Sequence, residues 1–274
     1  LSGHAHAGDA ASEIKNNILQ NAYTYGDSAV ESWARDNLKS LRLIELETRS
    51  RENSKPTFRG IALFELSGDE YKKLLSQLSY STFDDDETLN VGLVYRMMNN
   101  DMTVIYGLNI FYDHQFNTGH KRSGLGFEMK SSVYDLNINL YEAESKIHHV
   151  DGVPEVAASG YDAEIGAQVP YLPWAKVYYK AYQWTNETLD IKDGESLSLF
   201  MTPTPRLSVE IGTQDDSTIS SKTFLKLNYV LCCGEIAKSA PLFKVSNQAF
   251  NYGKLDSQRM YEKVRRENNI ITVR

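Results

Sequence analysis

The sequence predicts an all-β fold of about twelve antiparallel strands. Between residues 40 and 233, apolar and polar residues alternate with period two in one segment after another, without a stripe of three- and four-residue spacing. Turn residues (Gly, Asn, Asp, Ser, Pro) separate the segments. Each segment is close to the roughly 9 to 11 residues that a tilted strand needs to cross a hydrocarbon core, and the count is even.

The clearest pair spans 102–129, where Asn117, Thr118 and Gly119 supply the turn. On its return strand Arg122, Gly124, Gly126 and Glu128 share one face, and Ser123, Leu125, Phe127 and Met129 the other. In chain order the candidate strands are about 40–48, 56–66, 72–83, 88–98, 102–116, 120–131, 132–145, 157–169, 174–185, 195–203, 206–214 and 221–232. The same alternation sets Leu89, Val91, Leu93, Tyr95 and Met97 against Asn90, Gly92, Val94 and Arg96. Tyr134, Leu136, Ile138 and Leu140 likewise oppose Asp135, Asn137, Asn139 and Tyr141, and Leu225, Leu227 and Tyr229 oppose Lys226 and Asn228.

Before the strands, Ile14, Ile18 and Ala22, then Ala29, Val30, Trp33 and Ala34, recur at helical spacing with a break at Tyr25-Gly26-Asp27. One or two short amphipathic helices are expected there. Ala5-His6-Ala7 before Gly8 has the small-residue pattern of a signal-peptidase site, and an ordinary chain terminus explains it equally. After the strands, 234–254 reads as a loop. The charged stretch 259–267 is compatible with a helix that Asn268-Asn269 would stop ahead of an extended 270–273.

Composition excludes several classes. A net charge of −7 without a basic stripe argues against a general nucleic-acid surface. No run of 18 apolar residues occurs, so no transmembrane helix is expected. A mean hydropathy of −0.44 leaves a membrane barrel open, because lumen and lipid residues alternate in one. Cys232 and Cys233 are adjacent, a spacing at which an internal bridge is strained, and read as two small residues at a strand end. His148-His149 lacks further ligand spacing, so no metal is expected. Without GxSxG, HExxH, P-loop or GxGxxG, neither enzyme chemistry nor a cofactor is expected. Asp113, Glu128, Asp162 and Glu164, set against Arg96, Arg122, Lys176 and Lys180, read as a charge network rather than an acid/base pair.

Two architectures fit the strands. A soluble sandwich or barrel turns the apolar face inward, whereas a membrane barrel turns it to lipid and lines a wet lumen with charge. Tyr95, Tyr112, Phe116, Tyr134, Tyr171, Trp174, Trp184 and Tyr229 lie near strand ends, where interfacial girdles sit, although β propensity also enriches aromatics.

Motifs in these strands favour the second architecture. Asn109-Ile110-Phe111-Tyr112-Asp113 followed by Gly119-His120-Lys121-Arg122-Ser123-Gly124-Leu125-Gly126-Phe127-Glu128 resembles the paired NxFYD and GHxRLGLGxE motifs of the intimin and invasin family of inverse autotransporters. Gly160-Tyr161-Asp162, Val169-Pro170-Tyr171-Leu172-Pro173, the run 176–182 and Thr202-Pro203-Thr204-Pro205 resemble further family motifs in the same order. The C-terminal stretch resembles the family's linker, with Tyr261, Glu262, Val264, Arg266, Asn268, Asn269, Ile270 and Ile271 on matching positions. Lys263 stands where the family often has Leu, and the last strand ends in Leu231-Cys232 rather than an aromatic residue.

That resemblance implies a twelve-stranded antiparallel transmembrane barrel in a bacterial outer membrane. It would comprise a periplasmic helical segment (1–38), the barrel (39–233), and a loop and linker helix threading the lumen (234–274). The implied work is export and display of a C-terminal passenger. Arg96, Arg122, Glu128, Asp162, Glu164 and Lys176 would hold a linker presenting Arg259, Tyr261, Glu262, Val264, Arg266, Asn268, Asn269 and Ile270. Implied partners are outer-membrane lipid, the barrel-assembly machinery and a passenger beyond Arg274, with the barrel monomeric. A small outer-membrane channel and a soluble β-rich binding module are the alternatives.

Overall fold

The computed structural model describes residues 38–273 apart from 84–85, 146, 151, 187–188, 218, 234–237 and 239. The expected N-terminal helices lie outside the described residues. Period-two alternation becomes strand throughout: β1 (Leu41–Arg51), β2 (Thr57–Gly68), β3 (Lys72–Phe83), β4 (Asp86–Met98), β5 (Val104–Gln115), β6 (Lys121–Ser131) and β7 (Tyr134–Ala143). Next come β8 (His148–Val150), β9 (Val153–Ala157), β10 (Ser159–Val169), β11 (Leu172–Asn186), β12 (Leu189–Met201), β13 (Leu207–Asp216), β14 (Ile219–Cys233) and β15 (Thr272–Val273).

Twelve of these close into one antiparallel barrel in the order β1-β14-β13-β12-β11-β10-β7-β6-β5-β4-β3-β2. Chain neighbours pair throughout, with β7 and β10 adjacent across the excursion that carries β8 and β9, and β14 returning to β1 closes the edge. The turn at Gly119 takes a φ of 77°, a region where an L side chain is strained. Strand β12 begins earlier than the sequence suggests, because Asp190, Lys192, Asp193 and Gly194 break up its first residues and read as loop. The β8–β9 hairpin has no counterpart among the expected strands; together with β15 it forms a three-stranded sheet.

The placement of the two faces decides the architecture. Leu93, Leu108, Ile110, Leu125, Ile138 and Leu140 stand exposed on the outside, while Arg96, Asp113, Arg122 and Glu128 are fully buried inside. A soluble sandwich or barrel would reverse this, so the soluble alternative is ruled out and the outer band is a lipid-facing surface. Trp184 is a correction: it points into the lumen and packs on Tyr141 instead of joining an interfacial girdle. Cys232 is buried beside a register shift between β1 and β14 and is disulfide-bonded, which corrects its reading as an unremarkable small residue at a strand end.

The barrel's two ends differ. Strand β1 begins at the near end, where residues 240–254 run along the rim; the β8–β9 hairpin lies at the far end. We expect Ile138→Arg on the outer face to cost about 2 to 4 kcal/mol in a bilayer folding titration. The lumen-facing Asn137→Ser loses one hydrogen bond to Glu164, about 1 kcal/mol. Equal costs would contradict the assigned faces.

Candidate functional site

The lumen is occupied by the chain's own C-terminal segment. Leu255 enters at the near mouth, where its N–H donates to the Met102 carbonyl at 2.6 Å and its side chain packs with Met98, Ile105 and Met260. A single 3₁₀ turn, Ser257–Tyr261, comes next, with the Asp256 carboxylate accepting from the Gln258 N–H. Beyond it the chain runs extended to β15 at the far mouth, where Thr272 and Val273 pair with Ala157 and Val156 of β9.

The linker helix expected over 259–267 is therefore not present. Length supplies the first reason: the ten steps from Glu262 to Thr272 reach about 33 Å extended, but only about 15 Å as a helix. A helix would leave the far mouth unreached. The second reason is that the barrel wall replaces the helix's hydrogen bonds. Arg96 donates to the carbonyls of Met260 (2.5 Å) and Glu262 (2.6 Å), Asn139 to that of Arg265, Arg122 to that of Glu267 (2.8 Å), and Asn90 to that of Asn268 (2.8 Å). Gln77 accepts from the Val264 N–H and the Tyr141 hydroxyl from the Glu267 N–H. Backbone groups that would be orphaned in an isolated extended chain are thereby satisfied.

Side chains fix the register. Arg266 makes two hydrogen bonds to Asp113, at 2.8 and 2.7 Å, and stacks over Phe111 with 4.3 Å to the ring centre. Asp113 also accepts from Arg122 and Asn90. Arg265 turns the opposite way, to Glu164 (2.5 and 3.0 Å) and Glu210 (3.2 Å), over the Tyr178 ring. Lys263 reaches Glu45 and Glu47, both at 2.5 Å, and Asn228. Arg259 bonds Asp135 and the Ser131 carbonyl, Tyr261 bonds Glu65, and Glu262 lies 3.3 Å from Lys130. Asn269 accepts from Ser81, and Ile270 is buried.

All six wall residues singled out from sequence line the lumen, but not equally. Arg96, Arg122 and Glu164 touch the linker directly. Glu128 acts through Arg96, to which it is paired, Lys176 through Asp135 at 2.6 Å, and Asp162 through Asn139 and Tyr141. Sequence reasoning missed the acceptors Glu45, Glu47, Asp135 and Glu210, and the linker cations Lys263 and Arg265. The signal for two of these was present: Glu45 and Glu47 sit two apart on one strand, hence on one face.

One wall of the lumen is dry. Leu43, Leu63, Leu75, Val94 and Phe111, from β1 to β5, enclose Val264 of the linker. The lumen glycines admit side chains: a Cβ on Gly124 would lie 3.0 Å from the Arg266 guanidinium, and one on Gly126 2.5 Å from Asn109. Side chains, and not another backbone, fill the space beside these two glycines. Against the charged wall a space of about 260 Å³ remains, bounded by Glu47, Arg59, Lys180, Glu210, Lys226 and Arg265.

At the far mouth the β8–β9 hairpin is held by His120, which is fully buried in the turn before β6. Its ring nitrogens meet Ser145 at 3.0 Å and Glu155 at 3.2 Å, and the His148 ring packs edge-on at 4.8 Å. Burial lowers the His120 pKa below the usual 6.5 and His148 pushes the same way, against the opposing charge of Glu155. Among the described residues no group of three or more His, Cys, Asp or Glu could hold a metal ion. The arrangement binds a peptide chain.

A closed barrel with an apolar exterior and a charged lumen filled by its own extended segment defines a bacterial outer-membrane barrel. The chain matches the family model described as inverse autotransporter, beta-domain, over residues 2–268, and it belongs to that family. This is a family of outer-membrane translocator barrels, not of enzymes. A solved structure from a study of the mechanism of in-meso crystallization of membrane proteins superposes with a TM-score of 0.70 at 18% identity. It covers 85% of this chain and 98% of that one, and it speaks for the fold alone. The KdgM porin (TM-score 0.45, 7% identity) and the NanC porin (0.47, 9%) each cover 68% of this chain and 97% of their own. Both likenesses are too partial to add to it.

Two outcomes test the site. Asp113→Ala leaves the buried Arg122 and Arg266 without their shared carboxylate and should cost about 3 to 5 kcal/mol in bilayer unfolding. Adding Arg266→Ala should recover part of that loss, a coupling a double-mutant cycle reads directly. For His120, the free ring binds protons more readily than the buried one, so hairpin docking is complete above pH 6.5 and weakens as pH falls below it. Protease protection of residues 148–157 should fall over that range in the natural protein and be independent of pH in His120→Gln.

Proposed function

We propose that this barrel anchors and exports a passenger attached beyond residue 274, working as the translocator of an inverse autotransporter. The observation that carries the reading is the linker, which spans the lumen from Leu255 at the near mouth to Thr272 at the far mouth. A twelve-stranded barrel is too wide to be filled by its own side chains, so a segment threaded end to end both closes it and delivers the passenger to the outside. In this reading 1–38 lie on the periplasmic side, 39–233 form the barrel and 234–274 the loop and linker. The near mouth faces the periplasm and the far mouth the exterior. The partners are outer-membrane lipid, the barrel-assembly machinery and the passenger, and the barrel works as a monomer. The channel alternative needs the same barrel with the linker out of the lumen.

Planar-bilayer recording separates the two. The intact chain should conduct weakly and intermittently, and truncation after Leu255 should open a steady pore. Equal conductance from both would overturn the translocator reading in favour of an open channel. An epitope fused after Arg274 should in addition be reached by antibody on intact cells, and lose that access when the fusion point is moved back to Leu255.

A further inference from the structure

The near rim carries a feature that linker binding does not use. After the last barrel strand, residues 240–254 lie across the ends of β10, β11 and β7 as a strap. The Tyr171 N–H donates to the Ala249 carbonyl and the Ser246 N–H to the Tyr171 carbonyl, both at 2.8 Å. Trp174 Nε1 donates to the Lys244 carbonyl at 3.0 Å and its ring packs edge-on against Phe243, 5.7 Å between centres. Farther along, the Tyr252 phenol shares a hydrogen bond with Tyr134 at the start of β7, and the Gly253 N–H reaches the Ser132 hydroxyl at 3.4 Å.

This tethered strap leaves its apolar side chains exposed. Phe243 is 77% exposed, Tyr252 70%, Val245 64% and the adjoining Tyr171 50%. Isolated exposed apolar residues are ordinary, but four within one rim segment are a patch. Two of them, Tyr171 (φ 67°) and Phe243 (φ 64°), take a left-handed backbone that aromatic residues rarely adopt. From 236 to 255 the only charges are Lys238, Lys244 and Lys254, in a chain of net −7. Tyr134, the partner of Tyr252, belongs to the exposed outer face that continues through Ile138 and Leu140. Exposed aromatics with lysines beside them, continuous with a lipid-facing band, are the composition of a membrane–water interface.

We propose that the strap is an interfacial anchor that lies in the headgroup layer at the near end of the barrel and binds anionic phospholipid. Phe243, Val245 and Tyr252 enter the boundary between headgroups and acyl chains, and Lys244 and Lys254 meet phosphate. The strap thereby ties the point where the linker enters the lumen to the membrane plane. The proposal depends on the lipid-facing band and not on export.

The test uses the full chain in vesicles, with an environment-sensitive fluorophore on Val245→Cys, and on Glu70→Cys in the near-end turn between β2 and β3 as the reference. Phosphatidylcholine vesicles are compared with vesicles holding about a third phosphatidylglycerol, each with a shallow spin-labelled lipid as quencher. Heat-modifiable migration checks that each variant is folded. Quenching at position 245 should exceed that at 70 by about twofold or more and rise further with phosphatidylglycerol. Lys244→Glu with Lys254→Glu should remove that rise while leaving the basal quenching. Equal quenching at the two positions overturns the proposal. So does shielding that depends on protein density and ignores lipid composition, which would assign the patch to a second copy of the chain.

Discussion

An extended segment crossing a barrel lumen has no neighbouring strand, so each of its N–H and C=O groups needs a partner from the wall or from water. That requirement organises the interior. The long donors Arg96 and Arg122 and the amides Gln77, Asn90 and Asn139 are placed where linker backbone passes, and each is buried. Their charge and length suit them to this task more than to pairing with one another. Arg96 and Arg122 still need counter-charges: Asp113 supplies one to Arg122 from the neighbouring β5, and Glu128 reaches Arg96 from β6, across Gly107 of the intervening β5. The wall is thus built in two layers, an inner donor set and the carboxylates that hold it.

The two unlike walls arise from the linker's own alternation. Lys263, Val264, Arg265 and Arg266 point in four directions: to β1 acids, to the dry leucine wall, to Glu164 and Glu210, and to Asp113. Shifting the chain by one residue so that Arg265 takes the place of Val264 would put a guanidinium among Leu43, Leu63 and Leu75 and set the Glu267 carboxylate against Asp113. A buried charge without its partner costs several kcal/mol, so the threading register is sharply specified even though each pair contributes little net stability. The glycines belong to the same packing, since Gly124 gives the Arg266 guanidinium its room beside Phe111.

The strands were legible because period two survives any environment that treats the two faces differently. Bounds for β3 agree to the residue, and the hairpin 102–129 lies where its turn chemistry places it. Which face meets water was not legible in any single strand, since Leu136 and Asn137 alternate identically in a sandwich and in a membrane barrel. The linker misled for a different reason. Local composition over 259–267 is favourable to helix, but a few tenths of a kcal/mol per residue of propensity cannot compete with a wall that satisfies the backbone of an extended chain. Lys263 looked like a departure, whereas Glu45 and Glu47 accommodate it on the facing strand. The β8–β9 hairpin and the first residues of β12 pair with chain neighbours, but over stretches too short or too charged to read as strand.

Backbone and side-chain contacts also differ in what they recognise. Donors such as Arg96 and Asn139 bind carbonyls that every residue carries, so they would meet any extended chain passing through the lumen in much the same way. Asp113, Glu164, Glu210, Glu45 and Glu47 bind only where cations arrive together, and among the described linker residues that is the run Lys263 to Arg266. On the export reading, a sequence-tolerant lining lets diverse segments slide past until this charged run reaches its acids. At that register the leucine wall closes on Val264 and the far-end hairpin pairs with Thr272. Motion through the lumen and arrest within it then come from two separate sets of contacts on the same wall.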